Sequence, residues 1–273
     1  MGKVKNHVLP ELGKRPISSI DAVITINTLK PVAAKGALET VSRTCQILNQ
    51  IMRYAVNTGV IKHNPLEGIR DAFAKPVTKP MPTIDVIRIP EFMGDLSRAS
   101  IKFPTRCAIE WQLHTMVRPN EATKAKWSEV NIENKVWILP AEKMKAAKVH
   151  KIPLTPRTLK LLELMRPISG HREYIFPADR NPRGHMNPQT PNGAIRRMGY
   201  KGKLVAHGLR SLASTALNES RLFDYELIEV ALAHQDTNQV RAAYNRSDYL
   251  ESRREIMCWW SEYIHNAKVK SLV

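Results

Sequence analysis

The sequence lacks the features of membrane and secreted proteins. No stretch of its 273 residues approaches the roughly 18 consecutive apolar residues of a membrane-spanning helix. The N-terminus has no apolar run behind its basic residues, so we expect no secretory signal. The cysteines Cys45, Cys107 and Cys258 are odd in number and far apart, which indicates free thiols in a reducing compartment rather than disulfides or a zinc site. The expectation is a soluble cytoplasmic protein without a membrane partner.

Several common catalytic motifs are absent as well. The sequence has no glycine-rich phosphate loop, no His-Glu-x-x-His, no cysteine pairs and no Gly-x-Ser-x-Gly. Nucleotide hydrolysis, zinc proteolysis and serine esterase chemistry therefore lose support. No acidic cluster resembles the paired carboxylates that hold two metal ions in nucleases. We expect chemistry that needs neither a metal nor a cofactor.

Positive charge is what the chain has in excess. Its formal net charge is +17 and its pI is about 9.9. The excess runs through both halves of the sequence, which favours a polyanion-binding surface over a single disordered basic arm. Charge alone does not choose between DNA, RNA and an anionic membrane.

The pattern of apolar residues predicts a mostly α-helical protein with a small antiparallel β-sheet. Residues 1–76 are predicted to form a helical domain, and proline-rich residues 77–90 a linker. Residues 91–273 are predicted to form an α+β domain. In it, the β-branched-rich segments Val136–Leu139 and Val149–Leu154 predict two strands.

Local signals place several helix ends. Asp21 is a candidate N-cap, and Pro31 is expected to interrupt or kink the helix that follows. An amphipathic helix is predicted from Leu38 to Thr58, with Gly59 as its left-handed stop and another short helix opening at Asn64-Pro65. Farther along, Thr155-Pro156 is predicted to cap and begin a helix.

The stretch from Val205 to Leu217 carries the first candidate site residues. His207 and Arg210 lie one helical turn apart, so both side chains can point the same way. The same segment carries an apolar stripe at helical spacing, formed by Leu209, Leu212, Ala213, Ala216 and Leu217. The stripe predicts that a packed helix holds His207 and Arg210. His234 and Tyr244 follow downstream.

These residue types suit phosphodiester chemistry without a metal. Such a reaction needs a nucleophile, cations for the non-bridging oxygens and an acid for the leaving oxygen. Arginine binds phosphate bidentately and stays charged, and tyrosine can attack once nearby groups activate it. Arg118, Arg210, a lysine of the predicted hairpin and Tyr244 supply these roles. Each residue alone is more simply explained as structural, so the order and spacing of the set carry the hypothesis.

The combined motifs resemble the tyrosine recombinases, and most closely the phage and genomic-island integrases. The matching segments are Thr115-Met-Val-Arg118-Pro-Asn-Glu121, Met144-Lys145, His207-Gly-Leu-Arg210, Leu232-Ala-His234 and Ala243-Tyr244-Asn-Arg246. The helical region before them resembles the core-site DNA-binding domain of that family. The resemblance implies a site-specific recombinase that integrates or excises a mobile element.

Roles for single residues follow from the resemblance. It implies that Arg118 and Arg210 clamp the scissile phosphate, and that Glu121 supports Arg118. Lys145 would protonate the departing 5′ oxygen, and Tyr244 would form a 3′-phosphotyrosyl link that conserves the bond energy. His207 and His234 would position the phosphate and tune proton transfer.

The sequence departs from the family pattern at three points. Met116 stands where many members have glycine, so a tighter turn is expected to be lost there. The arm-site-binding N-terminal domain of these integrases is expected to be missing. Lys143 and Lys148 flank Lys145, so either is an alternative general acid.

The implied partners are double-stranded DNA at an attachment site and other protomers, as a tetramer on DNA. A directionality factor and a host DNA-bending protein are further implied partners. Alternative functions are a type IB topoisomerase-like strand passer and a truncated, non-catalytic DNA-binding module. The segment 250–267 predicts a helix with a large apolar face, which we expect to pack on its own domain in the monomer. The resemblance implies that this helix docks on a neighbouring protomer in the assembly.

Overall fold

The structure, a computed structural model, describes residues 2–77, 80–144, 147–234 and 249–271. The chain divides into two compact units, Met1–Pro80 and Met81–Val273. Each unit has its own buried hydrophobic core. Among the helices that the structure describes, none has both the length and the apolar character needed to cross a membrane.

The first unit is helical. Its α-helices are α1 (Gly2–His7), α2 (Leu9–Leu12), α3 (Ala22–Ala34) and α4 (Leu38–Asn57), followed by a 3-10 turn at Ile69–Ala72. The longest of them, α4, buries the side chains that its sequence repeats every three or four residues: Val41, Cys45, Leu48, Met52 and Ala55. It stops before Gly59, which adopts the left-handed conformation with φ 73° as predicted.

The second unit surrounds a small sheet with helices. Its elements are α5 (Ile89–Arg98), α6 (Phe103–Thr115), α7 (Pro119–Thr123), β1 (Val130–Asn131), β2 (Val136–Leu139), β3 (His150–Pro153), α8 (Pro156–Ser169), α9 (Thr190–Ile195), α10 (Gly208–Ser220), α11 (Tyr225–Ala231) and α12 (Leu250–Lys270). The predicted fold class, mostly α with a small antiparallel sheet, is confirmed.

The sheet contains one strand more than predicted. Its order is β1-β2-β3 with antiparallel pairing, and Trp137 lies opposite Val130 on one side and Ile152 on the other. The two predicted strands are β2 and β3. The extra strand, β1, is only two residues long, too short for its alternation to stand out in the sequence.

The C-terminal helix α12 forms part of the core of its own unit. Ile256, Trp260 and Ile264 are completely buried. The Trp260 indole N–H donates to the Leu113 carbonyl at 2.7 Å, so this face of the helix is fixed by a hydrogen bond as well as by packing. The predicted packing of the apolar face on its own domain is confirmed; docking on a neighbouring protomer stays a prediction.

A buried polar cluster fixes α12 farther along. The Ser261 hydroxyl lies 2.9 Å from Nδ1 of His114 on α6 and 2.8 Å from the hydroxyl of Thr155, the predicted N-cap of α8. All three side chains are buried. Burial lowers the pKa of His114 to about 3, so this histidine is neutral in the core.

The structure refines three local predictions. Asp21 caps α3 as predicted; α3 continues through Pro31 to Ala34, so Pro31 does not interrupt the helix, and a kink there stays a prediction. Asn64 and Pro65 lie in a turn, and no helix opens at them. The predicted linker 77–90 extends into the second unit, because α5 begins at Ile89 and this side chain is fully buried in that unit's core.

Candidate active site

Arg118 opens the short helix α7 beside its predicted supporting acid. Glu121 accepts hydrogen bonds from the Arg118 backbone N–H at 2.8 Å and from its Nη1 at 3.0 Å. Glu121 is buried and Arg118 is partly exposed. The carboxylate therefore holds both the main chain and the guanidinium group of Arg118, and so fixes the orientation of this partly exposed side chain.

The turn that leads into Arg118 keeps its tight geometry. Met116 has φ 56° and ψ 19°, the left-handed conformation that glycine adopts most easily. The expectation that Met116 loses this turn was therefore wrong. The Met116 side chain is 1% exposed, so packing of the buried thioether offsets the backbone strain.

Arg210 lies on α10 and is held by main-chain carbonyls. Its Nη1 donates to the Met116 carbonyl and its Nη2 to the Leu232 carbonyl. Burial and the nearby Arg118 lower the pKa of Arg210 to about 10, while the carboxylates of Glu121 and Glu229 oppose that shift. Arg210 therefore remains a cation at neutral pH although it is 5% exposed.

His207 directly precedes α10, at its N-cap position. Burial, followed by the charges of Arg210 and Arg118, lowers its pKa. Its neighbour Gly208 is required by a close approach, because a Cβ at this position would lie 2.3 Å from the Pro82 carbonyl oxygen. The His-Gly-Leu-Arg motif thus combines two functional side chains with one packing constraint.

Arg118 and His207 line one cavity. Its volume is about 500 Å³, and its other lining residues are Met81, Pro82, Pro119, Asn120, Pro188, Gln189, Asn192 and Val205. Between two of them, Asn192 and Val205, the chain carries four exposed cations: Arg196, Arg197, Lys201 and Lys203. The cavity and the basic turn beside it form a surface suited to a phosphate backbone.

His234 ends a turn that both arginines contact. Nη2 of Arg118 donates to the Ala233 carbonyl at 3.3 Å, next to the Leu232 carbonyl bound by Arg210. Nδ1 of His234 lies 2.9 Å from a carboxylate oxygen of Glu229. The charge of His234 also contributes to lowering the pKa of His207.

Two predicted site residues, Lys145 and Tyr244, lie outside the described residues. Of the flanking lysines, Lys143 donates to the Glu129 carboxylate, and to the Lys124 carbonyl at 2.8 Å. Lys143 is therefore committed to a structural ion pair and is a poor general acid. Lys148 is exposed.

Two residues near the arginines were not predicted from the sequence. His150 begins β3, and burial followed by the charges of Arg253 and Arg210 lowers its pKa to about 3. Arg253 on α12 is 2% exposed, which is exceptional for an arginine. The only sequence signal for either was position, since His150 follows the predicted hairpin and Arg253 follows Tyr244. No group of three or more His, Cys, Asp or Glu suited to a metal occurs within the described ranges.

Two family models match the sequence. The model of the phage integrase family covers residues 83–251, and that of the phage integrase central domain covers residues 1–72. Prophage integrase IntA of Escherichia coli (strain K12) is 47% identical over 270 residues, a match that covers 99% of this chain and 65% of that protein. The chain belongs to the phage integrase family.

A second relative of this phage integrase family chain matches it over a similar length. The integrase of Enterobacteria phage P4 is 33% identical, with 94% of this chain and 62% of that protein covered. The chain thus spans somewhat less than two thirds of the length of these two relatives.

Solved integrase structures share the fold. A lambda integrase dimer bound to a COC′ core site has a TM-score of 0.66 at 19% identity, covering 91% of this chain and 87% of that one. The Tn1549 transposon integrase in complex with circular intermediate DNA has a TM-score of 0.63 at 16% identity, covering 90% and 87%. At this identity the likeness concerns the fold.

The structure connects four of the predicted site residues. Arg118, His207, Arg210 and His234 come from three separate segments and are linked through hydrogen bonds and mutual electrostatic effects. Arg118 and His207 line the cavity, while Arg210 and His234 are connected to them through the turn at Leu232 and Ala233; side chains of these types can bind a phosphate group and exchange a proton beside it.

Proposed function

We propose that this chain breaks and rejoins DNA at a specific site through a 3′-phosphotyrosyl intermediate, and so integrates or excises a mobile element. The observation that supports this most directly is that Arg118 and His207 line one cavity, while Arg118 and Arg210 both donate to the turn that leads into His234. Membership of the phage integrase family makes DNA recombination the natural use of such a site.

In the proposed reaction the Tyr244 phenol gives its proton to a histidine of the site, His207 or His234, and its oxygen attacks the scissile phosphorus. The bond from phosphorus to the 5′ oxygen breaks, and Lys145 gives that oxygen a proton. Arg118 and Arg210 stabilise the negative charge that the non-bridging phosphate oxygens carry in the transition state. A 5′ hydroxyl of the exchanged strand then attacks the phosphotyrosine, so the number of phosphodiester bonds is conserved.

The proposed partners are duplex DNA and other copies of the chain. The net charge of +17 and the exposed basic turn at residues 196–203 support binding to a DNA backbone. A lambda integrase tetramer bound to a Holliday junction shares this fold, which supports a tetramer as the working assembly. A directionality factor and a host DNA-bending protein stay predictions.

The test is a covalent trapping experiment. The protein is incubated with nicked duplex DNA carrying a candidate attachment site, and an adduct that survives SDS is scored. Tyr244→Phe keeps the ring but removes the attacking oxygen, so the adduct should disappear while DNA binding persists. Tyr249→Phe is the matched control and should still form the adduct.

Two results would contradict the proposal. An adduct that persists in Tyr244→Phe would place the nucleophile elsewhere. A strict Mg²⁺ requirement, with cleavage abolished by EDTA, would rule out the mechanism in which arginines and a lysine supply the positive charge. Product analysis would separate strand exchange from simple relaxation of supercoils.

A further inference from the structure

Helix α11 ends in a motif that brings two distant positions together. Ala233 is left-handed with φ 49°, and its N–H donates to the Val230 carbonyl at 3.0 Å. The N–H of His234 donates to the Glu229 carbonyl, also at 3.0 Å. This pair of hydrogen bonds is a Schellman motif, which reverses the chain and makes the first and sixth residues neighbours.

The motif places the Glu229 carboxylate against the ring of His234. One carboxylate oxygen lies 2.9 Å from Nδ1. An ionised carboxylate only accepts hydrogen bonds, so Nδ1 must carry the proton. Nε2 lies on the opposite edge of the ring from this contact. Glu229 therefore holds His234 at two points, through its carbonyl and through its side chain.

From this contact we propose that Glu229 is the positioning residue of His234. By fixing the proton on Nδ1, it makes Nε2 the nitrogen that meets the DNA phosphate. A neutral ring then takes up a proton through Nε2, and a charged ring donates a hydrogen bond from Nε2 to a phosphate oxygen. This inference rests on the proposed function for its consequence, but the hydrogen bond can be tested without any cleavage.

Position and charge both support a role beyond helix packing. Glu229 is partly exposed, with 28% of its side chain accessible, and so is not needed to fill the core. Its carboxylate also favours the charged form of Arg210. The backbone bonds of the motif do not involve the carboxylate, so changing only the side chain leaves the turn intact.

The experiment compares Glu229→Ala with Glu229→Gln in the whole chain. The amide oxygen of glutamine can still accept from Nδ1, whereas alanine offers no acceptor. Glu219→Ala is the matched control, since Glu219 is an exposed glutamate on α10 and its loss changes the net charge equally. Thermal melting establishes that each variant is folded.

The first readout is the tautomer of His234 at neutral pH. Proteins labelled with ¹⁵N at histidine are measured by two-bond ¹⁵N–¹H correlation, with His234 assigned from the peak lost in His234→Gln. The proton should reside on Nδ1 in the wild type and in Glu229→Gln, and should redistribute towards Nε2 in Glu229→Ala. An unchanged ring in Glu229→Ala would overturn the proposal.

The second readout is single-turnover cleavage at saturating DNA. Loss of the carboxylate that orients a metal-ligating histidine typically costs roughly ten- to hundred-fold. Since Glu229 makes the same kind of contact with a histidine proposed to meet a phosphate, we expect a loss of this size for Glu229→Ala, with unchanged DNA affinity. Glu229→Gln should recover most of the rate. Wild-type cleavage by Glu229→Ala would overturn the proposal, as would equal losses in both variants. If the wild type forms no adduct, the proposed function fails and the tautomer measurement still decides the contact.

Discussion

The pair formed by Arg118 and Glu121 yields a quantitative prediction. In Glu121→Gln, one of the two carboxylate oxygens becomes an NH₂ group. That group would face either the backbone N–H or Nη1 of Arg118, which are both donors and lie 2.8 and 3.0 Å from the present oxygens. One charge-assisted hydrogen bond is therefore lost, and the arginine loses its fixed orientation.

The size of the effect follows from the type of contact. A hydrogen bond to a charged group contributes about 1.5–3 kcal/mol, and each 1.4 kcal/mol corresponds to about ten-fold in rate. If Arg118 must keep its present orientation in the transition state, cleavage by Glu121→Gln should fall by roughly 10- to 150-fold. DNA affinity should change little, because many other phosphate contacts remain.

Single-turnover adduct formation at saturating DNA measures this rate, and a filter-binding titration measures the affinity. Glu133→Gln is the control, because Glu133 is an exposed glutamate in the loop between β1 and β2. If Glu121→Gln cleaves as fast as the control, Arg118 does not depend on Glu121 and the support assigned to this carboxylate is refuted.

Three further predictions concern the described core and the lysines. Met116→Gly relieves roughly 1–2 kcal/mol of backbone strain but removes a buried side chain worth roughly 2–5 kcal/mol, so urea unfolding should show a net loss of stability. The pKa values of His114 and His150 are lowered to about 3, mainly by burial, so below about pH 6.5 the unfolded chain takes up protons that the folded protein does not. The free energy of unfolding should therefore decrease as the pH falls from about 6.5 towards 3, by at most about 1.4 kcal/mol per pH unit for each histidine. Urea unfolding at pH 7 and pH 5 measures this loss, which should be smaller in His114→Asn. Lys145→Ala should lose cleavage of ordinary DNA and recover it on DNA whose 5′ leaving oxygen is replaced by sulfur, because a thiolate leaves without an acid. Lys143→Ala should instead lower the free energy of unfolding. If sulfur specifically rescues cleavage by Lys143→Ala, the general acid is Lys143 and not Lys145.

The sequence was most informative where structure depends on neighbouring residues. Asp21 and Thr155 cap helices because a side-chain oxygen three residues before a free N–H is a local arrangement. The face of α12 around Trp260 is buried because its apolar residues repeat at helical spacing. The order of the arginines and histidines indicated the family before any geometry was known.

Other features depend on contacts that no local pattern records. The neighbourhood of Glu229 and His234 exists because Ala233 adopts a left-handed conformation that alanine seldom takes. His150 lies at the start of β3, where it pairs with Leu139 of β2 and its pKa is lowered by burial and by the charges of the arginines, a long-range arrangement. The turn at Met116 was predicted wrongly because the backbone preference of methionine was considered without its buried packing.

The carbonyls that hold Arg210 have a thermodynamic consequence. The Met116 and Leu232 oxygens are neutral acceptors, so they orient the guanidinium group without cancelling its charge. Leu232 belongs to the turn that carries His234, ten residues before Tyr244 in the chain. The guanidinium group of Arg210 therefore interacts both with a bound phosphate and with the backbone of this turn. By linkage, whatever favours the carbonyl-bound arrangement of the turn alters the affinity of Arg210 for phosphate, and phosphate alters the stability of that arrangement by the same factor.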